Sequence, residues 1–456
     1  MANIFLAAAL VFLACDEAGG IEEDGSCSED AVARGMKPSA LVSNIAVISG
    51  LLSALFMPFF GAIIDFTDHR KLTGILSAIV LIGIQAVQIG TTESTWFTMA
   101  ILQAIAGFVY QVQVVSNYAY LPEIAREVGQ GLMNNFTAIF TQSQFISQAL
   151  FNVVVIGISV GFGMSTVHTA MAGQTTCVVW GLLFFPWGWK LLPARPARHT
   201  LQEGQSLFTA GFKQNWQTTK SIWVRYRKGL KWFLLALIFA EASAAATTNV
   251  AVIYLTDVIG LSVTQIGIFF LVAVVAIVPG AKIGSMITAR TNPNLSWKLC
   301  QITLAVATIV GALLLENMSG PKELSFLWAF AIGLILGWFY PTENLFFSMC
   351  LPKGQEAELA GFFVYCTQIL GWLPPLLFSI LVQSNVSQKW GVVVTAFGYV
   401  VSVLLLMCTG TWEEILAEAE HNKDVHLTGS DVDDNDDKVE MKDETNNKLS
   451  DEEESA

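Results

Sequence analysis

Long apolar stretches separated by short polar ones pattern this chain. Runs dominated by Leu, Ile, Val, Phe and Ala occupy residues 3–16, 41–64, 72–90, 96–117, 135–163, 174–192, 232–256, 264–288, 298–316, 324–349, 359–383 and 390–410. None alternates with period two, so they read as helices and not as barrel strands. A helix of about 20 apolar residues crosses a hydrocarbon core roughly 30 Å thick. The pattern therefore predicts an all-α membrane protein with twelve spanning helices. The first run is short: about 13 residues make roughly 20 Å of helix. It reads either as a signal peptide without a basic start or as a first helix lacking its beginning.

Polar groups inside these runs are few, which makes them candidates for a site, because an ionisable side chain at membrane depth usually faces a cavity or a partner. Glu241 lies about ten residues into the seventh run, with Thr247, Thr248 and Asn249 on the following turns. It is either a helix-to-helix hydrogen-bonding group or a carboxylate that carries a proton or meets a substrate. The small residues of AEASAAATTN permit close packing or local unwinding there. Glu343, beside Asn344, sits nearer one end of the tenth run, either lining a cavity or reaching interfacial water. Gln144, Gln148 and Asn152 recur at i, i+4 and i+8 and so share one helix face, which should turn to the bundle interior. It either lines a cavity or bonds to neighbouring helices. Gln368 and Trp372, four apart, can present an amide and a ring together. Gln85 and Gln88 read as packing contacts.

Composition adds that only 13% of the 456 residues are charged and 54% are hydrophobic, against roughly 25% charged in ordinary soluble domains. The net charge of −13 belongs to one segment: residues 411–456 hold 17 acids and 4 bases. That acidic tail (DVDDNDDK, DEEES) should be disordered, a solvated segment or the site of a protein partner. Its resemblance to a calcium loop is compositional only, since the Gly and terminal Glu offsets are missing.

Basic residues orient the bundle. With the N-terminus inside, the inside loops hold sixteen Lys and Arg and the outside loops hold four, Arg34, Lys37, Lys322 and Lys389. Lys and Arg mark the cytosolic side, so both termini are expected in the cytosol. Asn317-Met-Ser and Asn385-Val-Ser then fall outside and could be glycosylated. Cys15 and Cys27 lie near the first outside segment and could pair. The expected organisation is a six-helix half over residues 1–192, a basic cytosolic linker over 193–231 with a small amphipathic element near FTAGFKQNWQTTKSIW, a second six-helix half over 232–410, and the acidic tail over 411–456.

Six plus six helices with a long basic connector is the layout of the major facilitator superfamily, whose halves surround a central cavity. GAIIDFTDHRK, residues 61–71, resembles that superfamily's G-x-x-x-D-x-x-G-R-R/K signature between spans two and three, with Asp68 and His69 departing from it. The resemblance implies a gating role for Gly61, Asp65, Arg70 and Lys71, with Gly61 letting two helices approach closely. LPKGQEAELAGFFVYCTQILGWLPPLLF, residues 351–378, resembles the family of vacuolar amino-acid effluxers linked to autophagy, a branch of the superfamily. Pro352, Lys353, Gly354, Glu356, Ala357, Glu358, Gly361, Tyr365, Trp372 and Pro374 carry the likeness. NYAYLPEIA at 117–125 is similar to the family's segment after span four. WFLLALIFAEASAAATTN is similar to the start of its span seven, with Glu241 where the family has Asp and Ala242 where it has Gly. The family's Arg before the P-K-G block is replaced by Pro341-Thr-Glu-Asn.

The resemblance implies a secondary transporter, moving amino acids from a vacuole-like lumen to the cytosol by alternating access. Spans five, seven, ten and eleven border the superfamily's cavity, so Gln144, Gln148, Asn152, Glu241, Asn249, Glu343 and Gln368 are the expected solute and proton pathway. A non-transporting receptor or scaffold of the same fold, or a carrier of another small solute, is the alternative. The chain has no P-loop for ATP, no His/Cys metal spacing and no Ser–His pair on a plausible site, so enzyme chemistry, cofactors and nucleic-acid partners are not expected. The expected partners are a small solute and the lipid bilayer of a vacuolar or other endomembrane.

Overall fold

A computed structural model describes residues 2–21, 27, 28, 30–120, 130–197, 201, 205–315, 323–351 and 356–422. The helices are α1 (Ala2–Glu17), α2 (Leu41–Phe66), α3 (Arg70–Gln88), α4 (Trp96–Tyr118), α5 (Gln130–Gly161), α6 (Thr166–Leu191), α7 (Leu207–Arg225), α8 (Leu230–Asp257), α9 (Val263–Arg290), α10 (Pro293–Leu314), α11 (Glu323–Cys350), α12 (Glu356–Gln368), α13 (Leu373–Gln383), α14 (Gln388–Leu406) and α15 (Trp412–His421). Apart from two isolated bridges, the described residues form no β-structure. Among the described residues, ten segments are long and apolar enough to cross a membrane: α2–α5, α8–α11, α12 with α13, and α14. Large side chains such as Leu55, Ile79, Val278 and Phe397 remain exposed on them, as a lipid-facing surface requires.

α1 and α6 correspond to the two remaining apolar runs. Although α1 is short, it is built into the bundle: Phe5, Leu6, Ala9 and Leu10 are fully buried. Phe5 packs on Phe151 of α5 and reaches Gly267 of α9 beside Ile156. Cys15 and Cys27 form a disulfide, which staples the α1–α2 loop to the end of α1. Arg34 in that loop lies over the rings of Trp96 and Phe97 and bonds to Glu17 at 3.1 Å. Glu17 in turn accepts from the Trp96 indole N–H.

The tightest helix pair is α9 with α11. Gly280 on α9 faces the Leu334 carbonyl, and Gly333 and Gly337 on α11 face the carbonyls of Ala273 and Ile277. A side chain at any of these positions would overlap backbone, so small residues four apart on both helices set the spacing. α8 uses the same device toward α14, where Gly398 sits on Ser243 and the Phe239 carbonyl. The Ala/Ser-rich stretch of α8 is thus a packing surface on an unbroken helix, and the alternative of local unwinding is not realised.

Three expectations are corrected here. Span eleven is not one continuous helix, because α12 stops at Gln368 and α13 starts at Leu373. Pro374 and Pro375 bring no N–H donors, so the α-helical ladder stops there, and the Gln368 and Leu370 carbonyls accept from the Gly371 and Leu373 N–H groups in tight turns instead. Gly61 does not mediate a close approach: a Cβ there would meet nothing within 4 Å, whereas Gly211 of α7 abuts the Pro58 carbonyl of α2. And the acidic tail does not begin without structure at 411. Thr411 caps α15 in a reciprocal pair with Glu414, and Ile415 and Ala419 bury one face of it. Residues 423–456 lie outside the described residues.

α15 ties together the basic-end termini of α8 and α11. The Glu418 carboxylate accepts the backbone N–H of Lys228 at 2.8 and 3.0 Å and that of Gly229 at 2.8 Å, donors that a helix start leaves unpaired. Trp412 packs on Phe346 of α11, with ring centres 5.7 Å apart. The Thr411 backbone N–H, and then Lys228, hold the Glu414 carboxyl below the usual glutamate range.

Two outcomes follow from this packing. Gly337→Val should destabilise the protein by roughly 1–3 kcal/mol through overpacking, read as a lower melting temperature in detergent. Glu418→Ala should speed amide exchange across Trp412–His421 about tenfold, the loss of about one charge-assisted hydrogen bond. In the parent, the Glu414 contribution is present above the unfolded glutamate value of about 4.3 and is lost as pH falls through the lower folded value. Docking of α15 should therefore persist at about pH 5.

Candidate functional site: a buried carboxyl pair

Glu241 of α8 and Glu343 of α11 meet. Their carboxyl groups face each other within hydrogen-bonding reach. Glu343 is 3% exposed, and Glu241 is half-buried. One oxygen of each, Oε1 of Glu241 and Oε2 of Glu343, is enclosed without a hydrogen-bond partner. An ionised carboxylate offers only acceptors. The contact is therefore attractive only with a proton between the two groups, and repulsive when both are ionised.

Tyrosines surround the pair. Tyr118 of α4 is close enough to feel both carboxyl charges. Tyr340, three residues before Glu343 and on the same face of α11, feels them too. Tyr399 of α14 lies near Glu241 and Thr247. The Tyr340 ring packs against Phe145 of α5, centres 6.4 Å apart. The pair thus belongs to α8 and α11 but looks toward α4 and α5, on the seam between the first six helices and the later ones. Beyond Glu343, Asn344 donates to the Tyr340 carbonyl at 3.0 Å.

The other expected pathway residues are placed as follows. On α5, Gln144 is exposed and Gln148 half-buried. Asn152 is fully buried, with neither amide atom hydrogen-bonded. Ile156, one turn further, packs on Gly267. Asn249 is half-buried on α8. Gln368 ends α12 and donates to Thr367 at 3.2 Å. Among the described residues, no hydrogen bond joins Gln144, Asn152, Asn249 or Gln368 to the carboxyl pair. Gln88 donates to the Met99 carbonyl at 3.2 Å and to Gln103 at 3.1 Å, a packing role.

The α2–α3 loop does link several elements. Arg70 is buried, donates to the Ala119 carbonyl at 3.4 Å and lies over the Tyr120 ring. Lys71 donates to the Leu192 carbonyl at 2.6 Å, and Asp65 accepts from Gln214 of α7 at 3.5 Å. The loop fastens the ends of α4, α6 and α7 at the basic end. Of the P-K-G block, Pro352, Lys353 and Gly354 lie outside the described residues; Glu356 and Glu358 fall in the first turn of α12.

Sequence reasoning missed the break between α12 and α13 as part of the site. At this interruption the carbonyls of Gln368, Ile369, Leu370 and Trp372 accept from the Gly371 N–H, the Trp372 indole N–H, the Leu373 N–H and the Leu376 N–H, so the helical ladder is broken while these groups stay paired. The signal was present as Gly371, Pro374 and Pro375. Trp372 at the break abuts Gly50 of α2: a Cβ on Gly50 would lie 2.8 Å from the Trp372 backbone nitrogen. Contacts between the two helix sets continue toward the end opposite the basic one. Ser379 donates to Asn44 at 2.6 Å, Lys37 donates to Asn385, and Ser159 and Thr264 lie 3.4 Å apart.

This architecture is similar to that of solved membrane transporters. The xylose transporter XylE from E. coli, in a partially occluded inward-open conformation, superposes with a TM-score of 0.58 at 11% identity, covering 89% of this chain and 96% of that one. A bacterial homologue of the iron transporter ferroportin in the inward-facing state gives 0.52 at 15%, covering 89% and 97%. The nucleoside transporter NupG gives 0.51 at 12%, covering 89% and 99%. The chain has the fold of the major facilitator superfamily and is a transporter of that type, not an enzyme. No curated protein matches its sequence. The model of the family described as "Vacuole effluxer Atg22 like" matches residues 15–411, and the chain belongs to that family.

A test of the seam is Gly50→Val. The side chain has no room beside Trp372, so the variant should separate α2 from α13. A cysteine placed at Ser379, which is 1% exposed, should react faster with an impermeant maleimide in the Gly50→Val background than in the parent.

Proposed function

We propose that this transporter moves amino acids from a vacuole-like lumen to the cytosol together with protons. The observation that carries the coupling is the contact between Glu241 and Glu343. Two carboxyl groups on separate helices, on the seam of the bundle, form a stable contact only while they hold a proton. Losing that proton forces them apart or demands a replacement cation. A solute ammonium group is such a cation, and the rings of Tyr118, Tyr340 and Phe145 supply faces that a cation or an apolar side chain can use. Proton loading and helix position are thereby linked through one contact.

The two helix sets would alternate about this pair. The contacts Gly50–Trp372, Asn44–Ser379 and Ser159–Thr264 support a closed seam at the end opposite the basic one. The excess of Lys and Arg in the loops of the other end supports assigning that other end to the cytosol. The Cys15–Cys27 disulfide agrees, since disulfides belong to lumenal or external compartments. The family's description supports the vacuolar membrane and the outward direction from it. In this reading Asp65, Arg70 and Lys71 steady the cytosolic ends of α4, α6 and α7 while the cavity opens there. The buried, unpaired amide of Asn152 offers hydrogen bonds to a polar solute.

The purified protein in proteoliposomes should show saturable counterflow of at least one labelled amino acid. Glu241→Gln and Glu343→Gln should each keep counterflow while flattening the dependence of net uptake on pH. Counterflow needs no driving force, so its absence for every amino acid removes that substrate class. An unchanged pH profile in both variants removes the coupling role.

A further inference from the structure

The connector helix α7 carries an outward aromatic face that the rest of the protein meets only at its ends, where Phe208 packs on Phe59 of α2 and Lys231 lies over Trp223. One side of α7 is packed: Ala210, Gly211, Thr218, Ser221 and Ile222 are buried, with Gly211 against the Pro58 carbonyl of α2 and Gln214 bonded to Asp65. The packed positions are mostly small, so α7 lies close against its neighbours. The opposite side presents Phe208, Phe212, Trp216 and Trp223, which are 44%, 37%, 71% and 52% exposed. Their spacing of four, four and seven keeps all four rings on one face. Lys213 and Lys220, both exposed, flank that face on its edge.

Rings of this size are costly to leave in water, and their clustering on one face marks an interaction surface. α7 is not among the segments apolar enough to span a membrane. A helix with one packed side and an outer side of aromatics bordered by lysines suits the plane of the lipid–water interface. Indole rings favour the headgroup level, and lysines beside them meet negatively charged headgroups. Lys231, in the first turn of α8, sits over Trp223 and Trp232 at 4.6 Å from each, adding cationic charge at the end of the same face.

We propose that the outer face of α7 binds the anionic lipid headgroups of the membrane leaflet at the basic end of the bundle. The four rings enter the headgroup–acyl boundary, and Lys213 and Lys220 contact headgroup phosphates. Because α7 is fastened to α2 at Pro58 and Asp65, lipid held there restrains the end of α2 and the loop that joins it to α3. Charge complementarity favours this partner over a neutral lipid surface, and the helix's packing on α2 favours a membrane over a peptide-binding protein that wraps a free helix.

The test uses the full chain in nanodiscs containing phosphatidylcholine with phosphatidylserine, with bromine on the acyl chains of one lipid or the other. Trp216→Phe/Trp223→Phe preserves the rings while removing two reporters, so the difference from the parent isolates those two positions. Brominated phosphatidylserine should quench that component more strongly than brominated phosphatidylcholine. In Lys213→Gln/Lys220→Gln the preference should fall roughly tenfold or more, as expected for two lysines near an anionic surface. Equal quenching by both lipids would overturn the proposal by showing an anchor set by apolar area alone. No quenching at these positions would overturn it by placing the face in water, open to a protein partner. Neither readout depends on transport, so the result stands apart from any failure to find amino-acid flux.

Discussion

Two carboxyl groups placed against each other inside a membrane protein are the constraint on which the rest of this structure turns. One ionisable group at that depth costs on the order of 3 kcal/mol on insertion scales, and a second beside it adds repulsion unless a proton is shared. Such a pair persists only where its surroundings hold both helices in place. α8 is seated on α14 through Ser243 and Gly398, and α11 on α9 through four glycines. α15 then ties the near ends of α8 and α11 through Glu418 and Trp412. The backbone contacts at these glycines leave little slack, so a change in protonation at the pair is felt by whole helices and not absorbed locally.

The pair also sits where movement matters. Tyr118 of α4 and Phe145 of α5 approach it from the first six helices. On the same seam, α2 touches the break between α12 and α13 at Gly50. The groups able to hold a proton and the backbone able to bend therefore lie on the surface where the two helix sets meet. Asp65 at the end of α2, Arg70 and Lys71 at the start of α3, and the connector helix α7 all make their contacts at the basic end, away from the pair. They define a mechanical boundary for the first helices, and α15 plays the corresponding part for the later ones.

Much of this was legible in the sequence. All twelve apolar runs correspond to helical segments, and among the described residues ten of these are long and apolar enough to cross a membrane, as a hydrocarbon core demands. The Atg22-like family was legible from the P-K-G block and the neighbourhood of Glu241. Glu241 and Glu343 stood out singly, since charge within an apolar run is conspicuous. Their pairing did not, because residues about a hundred positions apart meet only through the packing of α8 with α11. The role of Gly61 was misread because sequence shows a glycine without showing its neighbour; Gly211 makes the close contact instead. The helix α15 was hidden by composition, since its acids resemble those of the tail that follows and only the Thr411 cap and the Ile415–Ala419 spacing mark it. Span eleven was read as continuous because its hydropathy never drops, while Pro374 and Pro375 decide the backbone.

The central claim is that the Glu241–Glu343 contact carries the proton that accompanies solute. It is tested most directly by following protons themselves. Proteoliposomes with a pH-sensitive dye inside and no initial pH gradient would receive a transported amino acid from outside. The account predicts inward proton movement with the solute in the parent protein, and solute entry without proton movement in Glu343→Gln. Proton movement of equal size in the variant, or solute entry without it in the parent, would contradict the account.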